Sequence, residues 1–487
     1  MFTVTVGTPP QTLTVILDTG SSDLYFDASA ASSCQSTTAD NSCRGGSFDS
    51  SSSKTYKIVN QGAFQTKFGD GSTASGDYST DVVGIGNVQV PNVQFGVANN
   101  VNSTTGYAVS LLGVGYSANE AATNRYPNLP EILKEAGAIN SRLYSVFLNQ
   151  FGDATGTILF GGIDTSQYTG SLQTLNLLPV ASQDSSGDII AQVYQFVVSV
   201  TGLSGTVNGK TTTMLSGGDP TGQNSRNSLP VLLDTGSAAW SIPTKYYDAI
   251  VGLFGSNVID ENGNLLCSHQ NDDISLAVEF GGKVTINVPV KNFVVPVYDP
   301  ATNKAVTTTK GQPVCTLMLS EVTPADQEAS LGFNTLGDAI LRSMYVVFDL
   351  DNGQVSIAQA NTNPGSPSVK VVPSGINGVA SAVGSSGVST ASSNAATIAT
   401  AIQATQSFSF STVAPPAGTA TGVDAVPEQG RVSETAASGS GSSSGSGSSP
   451  SGSKGAAASI RPEGSSGFLM VLALWIGSAV VGFGLLM

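Results

Sequence analysis

Two aspartates carry the pattern in this chain that could do chemistry. Residues 15–21 read VILDTGS and residues 231–237 read VLLDTGS, so one seven-residue pattern occurs twice with a single conservative difference. In each copy an apolar, β-branched run breaks at Asp-Thr-Gly, the pattern of a buried strand that delivers a carboxylate onto a turn. One copy alone would read as an ordinary turn, because an Asp side chain caps its own backbone there. Two copies 216 positions apart point instead to a duplicated unit in which each half contributes one carboxylate, Asp18 and Asp234. Close carboxylates cannot both ionise readily, so such a pair keeps one proton and can act as base and acid around a single water.

The remaining residue types exclude other chemistries. The sole histidine, His269, sits in a polar turn (CSHQNDD) with no nucleophile motif nearby, and a Ser-His-Asp or Cys-His site would have to be built on it. The four cysteines are not in metal-ligand spacing, and one histidine cannot complete a common zinc set, so neither metal nor cofactor is expected. Lys and Arg number 19 against 34 Asp and Glu, a formal net charge of -15. Phosphate binding needs a basic surface, so nucleic acid is not an expected partner. A chain this acidic repels itself least in acid, where its carboxylates are partly neutralised.

The elements that must position the two aspartates follow from the pattern around them. The opening MFTVTVGTPPQTLTVILDTG reads as strand, turn and strand into Asp18. Residues 63–90 hold two alternating runs around Phe68-Gly69-Asp70-Gly71, a hairpin whose tip could fold over a cleft. Leu111-Leu112-Gly113 and a helix-like LPEILKEAGAI complete the first half. The second half repeats the order: Gly113 follows Asp18 by 95 residues, and Gly337, in Thr335-Leu336-Gly337-Asp338, follows Asp234 by 103. Val, Ile, Thr and aromatics alternate between Gly-rich turns, which predicts mainly β structure in two lobes, residues 1–175 and 176–361. The cysteines fall two and two. Of the three connectivities open to them, Cys34 with Cys43 and Cys267 with Cys315 needs no contact between lobes and is preferred.

Taken together, the two DTGS motifs, the FGDGSTASG hairpin, LLG, TLGDAILR, GGIDTSQYTGSL at residues 161–172 and both cysteine pairs resemble the pepsin family of aspartic endopeptidases over about residues 1–360. The resemblance implies a bilobal, mainly β fold with Asp18 and Asp234 facing each other across a cleft, acting on protein or peptide substrates as a monomer. It implies that Thr19 and Thr235 lock the two loops beneath the pair and that Ser21 hydrogen-bonds the Asp18 carboxylate. Ser237 takes the corresponding place beside Asp234, and Gly20 and Gly236 complete the motifs. Two departures stand out. The family carries a Tyr in the flap where this chain has Phe68, and a Trp where it has Tyr25, so the flap's hydroxyl-to-indole bond cannot form as such. Asp70, beside Gly69 at the flap tip, stands where a carboxylate can reach the pocket for the residue on the amino side of the cleaved bond, which predicts a taste for Lys or Arg there. The competing expectation is a catalytically weak or inactive binding protein on the same fold, with Phe68 as its support.

Beyond about residue 361 the composition changes to Ser, Gly, Ala, Thr and Pro, which predicts an unfolded stalk over 362–467. Residues 468–487 are uncharged and apolar and long enough to span a bilayer. Small residues around Gly455 and a polar spacer with Arg461-Pro462-Glu463 precede them, the three parts of a GPI signal. The architecture resembles the fungal, surface-anchored yapsin-type branch, which implies attachment to the outer face of the plasma membrane or to the cell wall. No signal peptide is visible before Phe2, and the expectation is a chain truncated at its start. Stalk O-glycosylation and N-glycosylation at Asn102, in the sequon Asn102-Ser103-Thr104, are expected.

Overall fold

The computed structural model describes residues 2–389 apart from 36–42, 87, 105–107, 152–155, 184–188, 222–228, 300–303 and 324–332, and beyond 389 only residues 397–398, 411–412 and 458–459. The alternating opening forms an antiparallel pair, Phe2–Val6 with Gln11–Asp18, in which Phe2, Val4 and Val6 are buried on one face. The turn between them passes through Gly7 at φ 88°, a left-handed position that glycine adopts without strain.

Each half threads its motif strand in the same way. Leu111–Gly113 runs parallel to Gln11–Asp18, with Asp18 opposite Gly113, and pairs antiparallel on its other side with Leu24–Asp27. In the second half Asn334–Leu336 runs parallel to Leu229–Leu233 and meets Trp240–Pro243 on its other side. The strand that ends in each aspartate is thus held centrally in its own sheet, which fixes where the carboxylate emerges. The flap strands Lys57–Lys67 and Thr73–Ile85 form the end of the first sheet, with Thr73–Ile85 also paired to Val88–Asn102.

A further sheet takes strands from both halves, in the order Tyr168–Asn176, Gln354–Ala360, Met344–Asp349, Leu143–Phe147, Thr157–Phe160. Here the halves share one core: Tyr144 stacks on Phe348 at 5.2 Å and meets Phe196 edge-on at 6.3 Å. The result is the mainly β, bilobal architecture that the alternation and the duplication imply. Cys34 is bonded to Cys43 and Cys267 to Cys315, each pair within one half.

The expected stalk boundary at residue 362 needs correction, because the chain remains folded to Ser389. Val369–Val371 pairs with Gly162–Asp164, a short helix covers Gly378–Val383, and Val388–Ser389 lies parallel to Leu172 and Gln173. Val372, Val379 and Val388 are buried against Leu143, Ile163, Leu172, Tyr345 and Val347. The average composition of this stretch is polar, but a few spaced valines suffice to cover an apolar sheet face. Apart from the three residue pairs named above, the rest of the stalk, Gly455 and the apolar end at 468–487 lie outside the described residues.

Candidate active site

The two motif turns meet and interlock. The Thr19 hydroxyl donates to the Leu233 carbonyl at 2.7 Å and accepts from the Thr235 N–H at 3.0 Å. Reciprocally, the Thr235 hydroxyl donates to the Leu17 carbonyl at 2.7 Å and accepts from the Thr19 N–H at 3.2 Å. Each hydroxyl therefore satisfies two backbone groups of the opposite strand end. The glycines then sit against the opposite carboxylates: a methyl group placed on Gly20 would come within 2.5 Å of Asp234 Cγ, and one on Gly236 within 2.5 Å of Asp18 Oδ1. No larger residue fits at either place while the aspartates stay where they are.

The pair is not symmetric. Asp18 accepts from the Gly20 N–H at 2.8 Å and from the Ser21 hydroxyl. Asp234 accepts from the Gly236 N–H at 2.8 Å, but the Ser237 hydroxyl donates instead to the Ala239 carbonyl at 3.1 Å. The expected role of Ser237 beside Asp234 is thus replaced by a local turn bond. Burial, then the charge of Asp18 and a hydrogen bond shared with it, hold the Asp234 carboxyl well above the usual carboxylate range. The arrangement brings the two motif carboxyl groups to the same place, each against the glycine of the opposite motif.

Above this pair the flap tip closes through a turn in which the Phe68 N–H donates to Ser72 O at 2.9 Å. Phe68 packs on Tyr25 with ring centroids 6.2 Å apart. The Tyr25 hydroxyl donates to the Val109 carbonyl at 3.2 Å, so the hydroxyl that the sequence places on this side of the contact is spent on the body. Asp70 is held within the tip, accepting from the Ser72 N–H and hydroxyl, each at 2.8 Å, and from the Thr104 hydroxyl at 2.7 Å. Gly69 is exposed at the tip, and Asn102 is exposed at the end of its strand, opposite Thr73.

Two polar residues outside the repeated motifs hold the Asp18 loop. Asn119 Nδ2 donates to the Gly20 carbonyl at 3.3 Å, and Asp23 is buried beneath the flap at the centre of a hydrogen-bonded cluster. A signal for Asp23 was present: when the two motifs are superposed it falls opposite Ala239, a charged residue with no counterpart in the other half.

Interlocked Asp-Thr-Gly turns from two like halves define a class of hydrolase, and comparison with known proteins agrees. The pattern of the family described as eukaryotic aspartyl protease matches residues 1–360. The chain belongs to this pepsin-type family and is an aspartic-type endopeptidase. It is 35% identical over 389 residues to a protein of Trichophyton verrucosum described as "probable aspartic-type endopeptidase OPSB", covering 78% of this chain and 72% of that one. Against the aspartic proteinase yapsin-3 of Saccharomyces cerevisiae the identity is 31% over 379 residues, 76% of this chain and 67% of the other. An acid protease of Saccharomycopsis fibuligera is 32% identical over 371 residues, 74% of this chain and 80% of its own length.

Proposed function

We propose that this endopeptidase cleaves proteins in acid, at the outer surface of the cell, with a water activated between Asp18 and Asp234. The observation that carries this reading is the reciprocal threonine lock, which sets each motif glycine against the opposite carboxylate. The ionised carboxylate takes a proton from the water as its oxygen adds to the scissile carbonyl carbon, and the protonated carboxyl gives its proton to the carbonyl oxygen. The tetrahedral adduct then collapses, the C–N bond breaks, and a proton returned through the pair leaves on the amine. No covalent enzyme intermediate is formed. The pair works only while it holds one proton, which gives a bell-shaped pH profile. Cleavage sensitive to pepstatin, strongest in acid, tests this; undiminished cleavage under saturating pepstatin contradicts it.

Asp70 supports a preference for Lys or Arg on the amino side of the cleaved bond. Its carboxylate lies at the flap tip, two residues from Phe68, whose ring packs on Tyr25. An ion pair in that partly desolvated place favours a basic side chain. For the location, support comes from the small residues around Gly455, the polar spacer and the uncharged 468–487 segment, which together read as a GPI signal. A glycan on Asn102 and O-glycans on the stalk fit the same route, and the enzyme acts as a monomer. Release of active enzyme lacking residues 468–487 by phosphatidylinositol-specific phospholipase C, or by hydrogen fluoride from the wall, tests the anchor. Recovery of Leu486 and Met487 in mature protein contradicts it.

A further inference from the structure

Asp23 lies five residues after Asp18, on the same segment, yet takes no part in the chemistry of the pair. It is buried, and its carboxylate joins three separate parts of the first half. Oδ1 accepts from the Tyr78 hydroxyl at 3.0 Å and from the Tyr126 hydroxyl at 2.7 Å, and Oδ2 accepts from the Ala121 N–H at 2.7 Å. Tyr78 belongs to the second flap strand, Thr73–Ile85. The backbone around Asp23 is fixed as well, since its carbonyl accepts from the Gly113 N–H at 3.0 Å beside the Asp18 strand. Burial holds both phenols above their ordinary range, so they remain donors across the working pH.

From this cluster a continuous row of rings climbs to the flap tip. Tyr126 meets Tyr78 at 5.7 Å, Tyr78 meets Phe64 at 5.4 Å, Phe64 meets Tyr25 at 5.5 Å, and Tyr25 meets Phe68 at 6.2 Å. At the top of the row Phe68 has no hydroxyl and the Tyr25 hydroxyl is bonded to Val109, so the tip is tied to Tyr25 by ring packing alone. At the bottom the flap is tied to the Asp18 segment by the buried hydrogen bond from the Tyr78 hydroxyl to Asp23, whose carboxyl burial holds above its ordinary range. The flap tip is bonded to Thr104 through Asp70 and Ser72, whereas its hold on the Asp18 segment is polar only at its base.

We propose that Asp23 is a positioning residue that holds the flap in register over the aspartate pair through the Tyr78 hydroxyl. Its contribution to turnover rests on the dyad reading above, whereas its hold on the flap does not. A flap docked at its base covers a bound peptide in a fixed place. Without the Tyr78 bond the tip swings over a wider range, and substrate has to select the closed position.

The test is Tyr78→Phe, which removes one hydroxyl and keeps the ring, with Tyr126→Phe as a second variant that leaves the flap strand itself untouched. In the full-length enzyme, Tyr78→Phe is expected to raise KM for a peptide substrate about tenfold with a smaller change in kcat, the scale of one lost hydrogen bond to a carboxylate. Amide exchange over the flap is expected to quicken, while exchange in the far strand Ile274–Phe280 stays at the wild-type rate. Tyr126→Phe is expected to leave flap exchange closer to wild type than Tyr78→Phe does. Wild-type flap exchange in Tyr78→Phe, or acceleration spread equally through both halves, overturns the proposal. The exchange readout needs no catalysis, so it separates failure of this proposal from failure of the dyad reading.

Discussion

The Thr19 and Thr235 hydroxyls each bond to the strand end that leads to the other, 2.7 Å to Leu233 O and 2.7 Å to Leu17 O, so neither aspartate turn is positioned by its own half alone. Both hydroxyls are internal to the contact, and removing either strands an acceptor and a donor. Thr19→Val, close in shape but without the hydroxyl, should cost about 1–3 kcal/mol for each group left without a partner. It should also misplace the pair and lower kcat/KM by about a hundredfold. Thermal unfolding and kinetics on the same preparation check both, and a variant with unchanged kcat would detach the threonine lock from catalysis.

Asp70→Thr should separate the two roles open to that residue. Peptide-library profiling is expected to show selective loss of cleavage after Lys and Arg, with cleavage after apolar residues retained. Equal loss at both kinds of site would mean that Asp70 serves only the turn it forms with Ser72 and Thr104.

Stability should peak in acid. Burial pushes the Asp27 carboxyl up to about 7 and the Asp349 carboxyl up to about 6. For such raised acids the stabilisation is complete below the unfolded value of 3.8 and is lost as pH rises through the folded one, since the unfolded chain ionises first. Asp351 runs the other way. Burial works to raise it, but Lys134 at 2.7 Å and Arg142 at 2.7 Å outweigh burial and pull it down to about 2. Its contribution is present above 3.8 and is lost only as pH falls through about 2. Melting temperature should therefore be highest between these limits and fall toward neutrality, with Asp27→Asn flattening the fall. An unchanged slope in that variant would remove Asp27 from the account.

Cutting the chain after Ala360 should destabilise it, although the family match ends there. Val372, Val379 and Val388 would no longer cover Ile163, Leu172 and Val347, and each fully buried valine is worth about 1.5–3 kcal/mol. Comparing the melting temperatures of chains ending at 360 and at 389 checks this, and equal values would return residues 362–389 to the stalk.

Much of this was legible because a duplicated motif carries its own control. Two copies of LDTGS gave the strand ends, the turn and the pairing of halves, and the alternation in residues 2–18 gave the strands that deliver Asp18. Side-chain partners were less legible, because a hydroxyl bonds whichever acceptor its backbone brings near. Ser21 finds Asp18 while Ser237, in an identical tetrapeptide, finds Ala239. The docking of 361–389 was hidden for a different reason: composition averages over a window, whereas burial needs only three valines in the right register.

The central claim is that Asp18 and Asp234 share the work of one proton around one water. Asp18→Asn and Asp234→Asn, each nearly isosteric, should be made separately, shown to keep the wild-type far-ultraviolet circular dichroism, and assayed on a peptide substrate from acid to neutral pH. Each is predicted to lose about 10⁴-fold or more in kcat/KM at every pH. Wild-type kcat/KM in either folded variant would contradict the account.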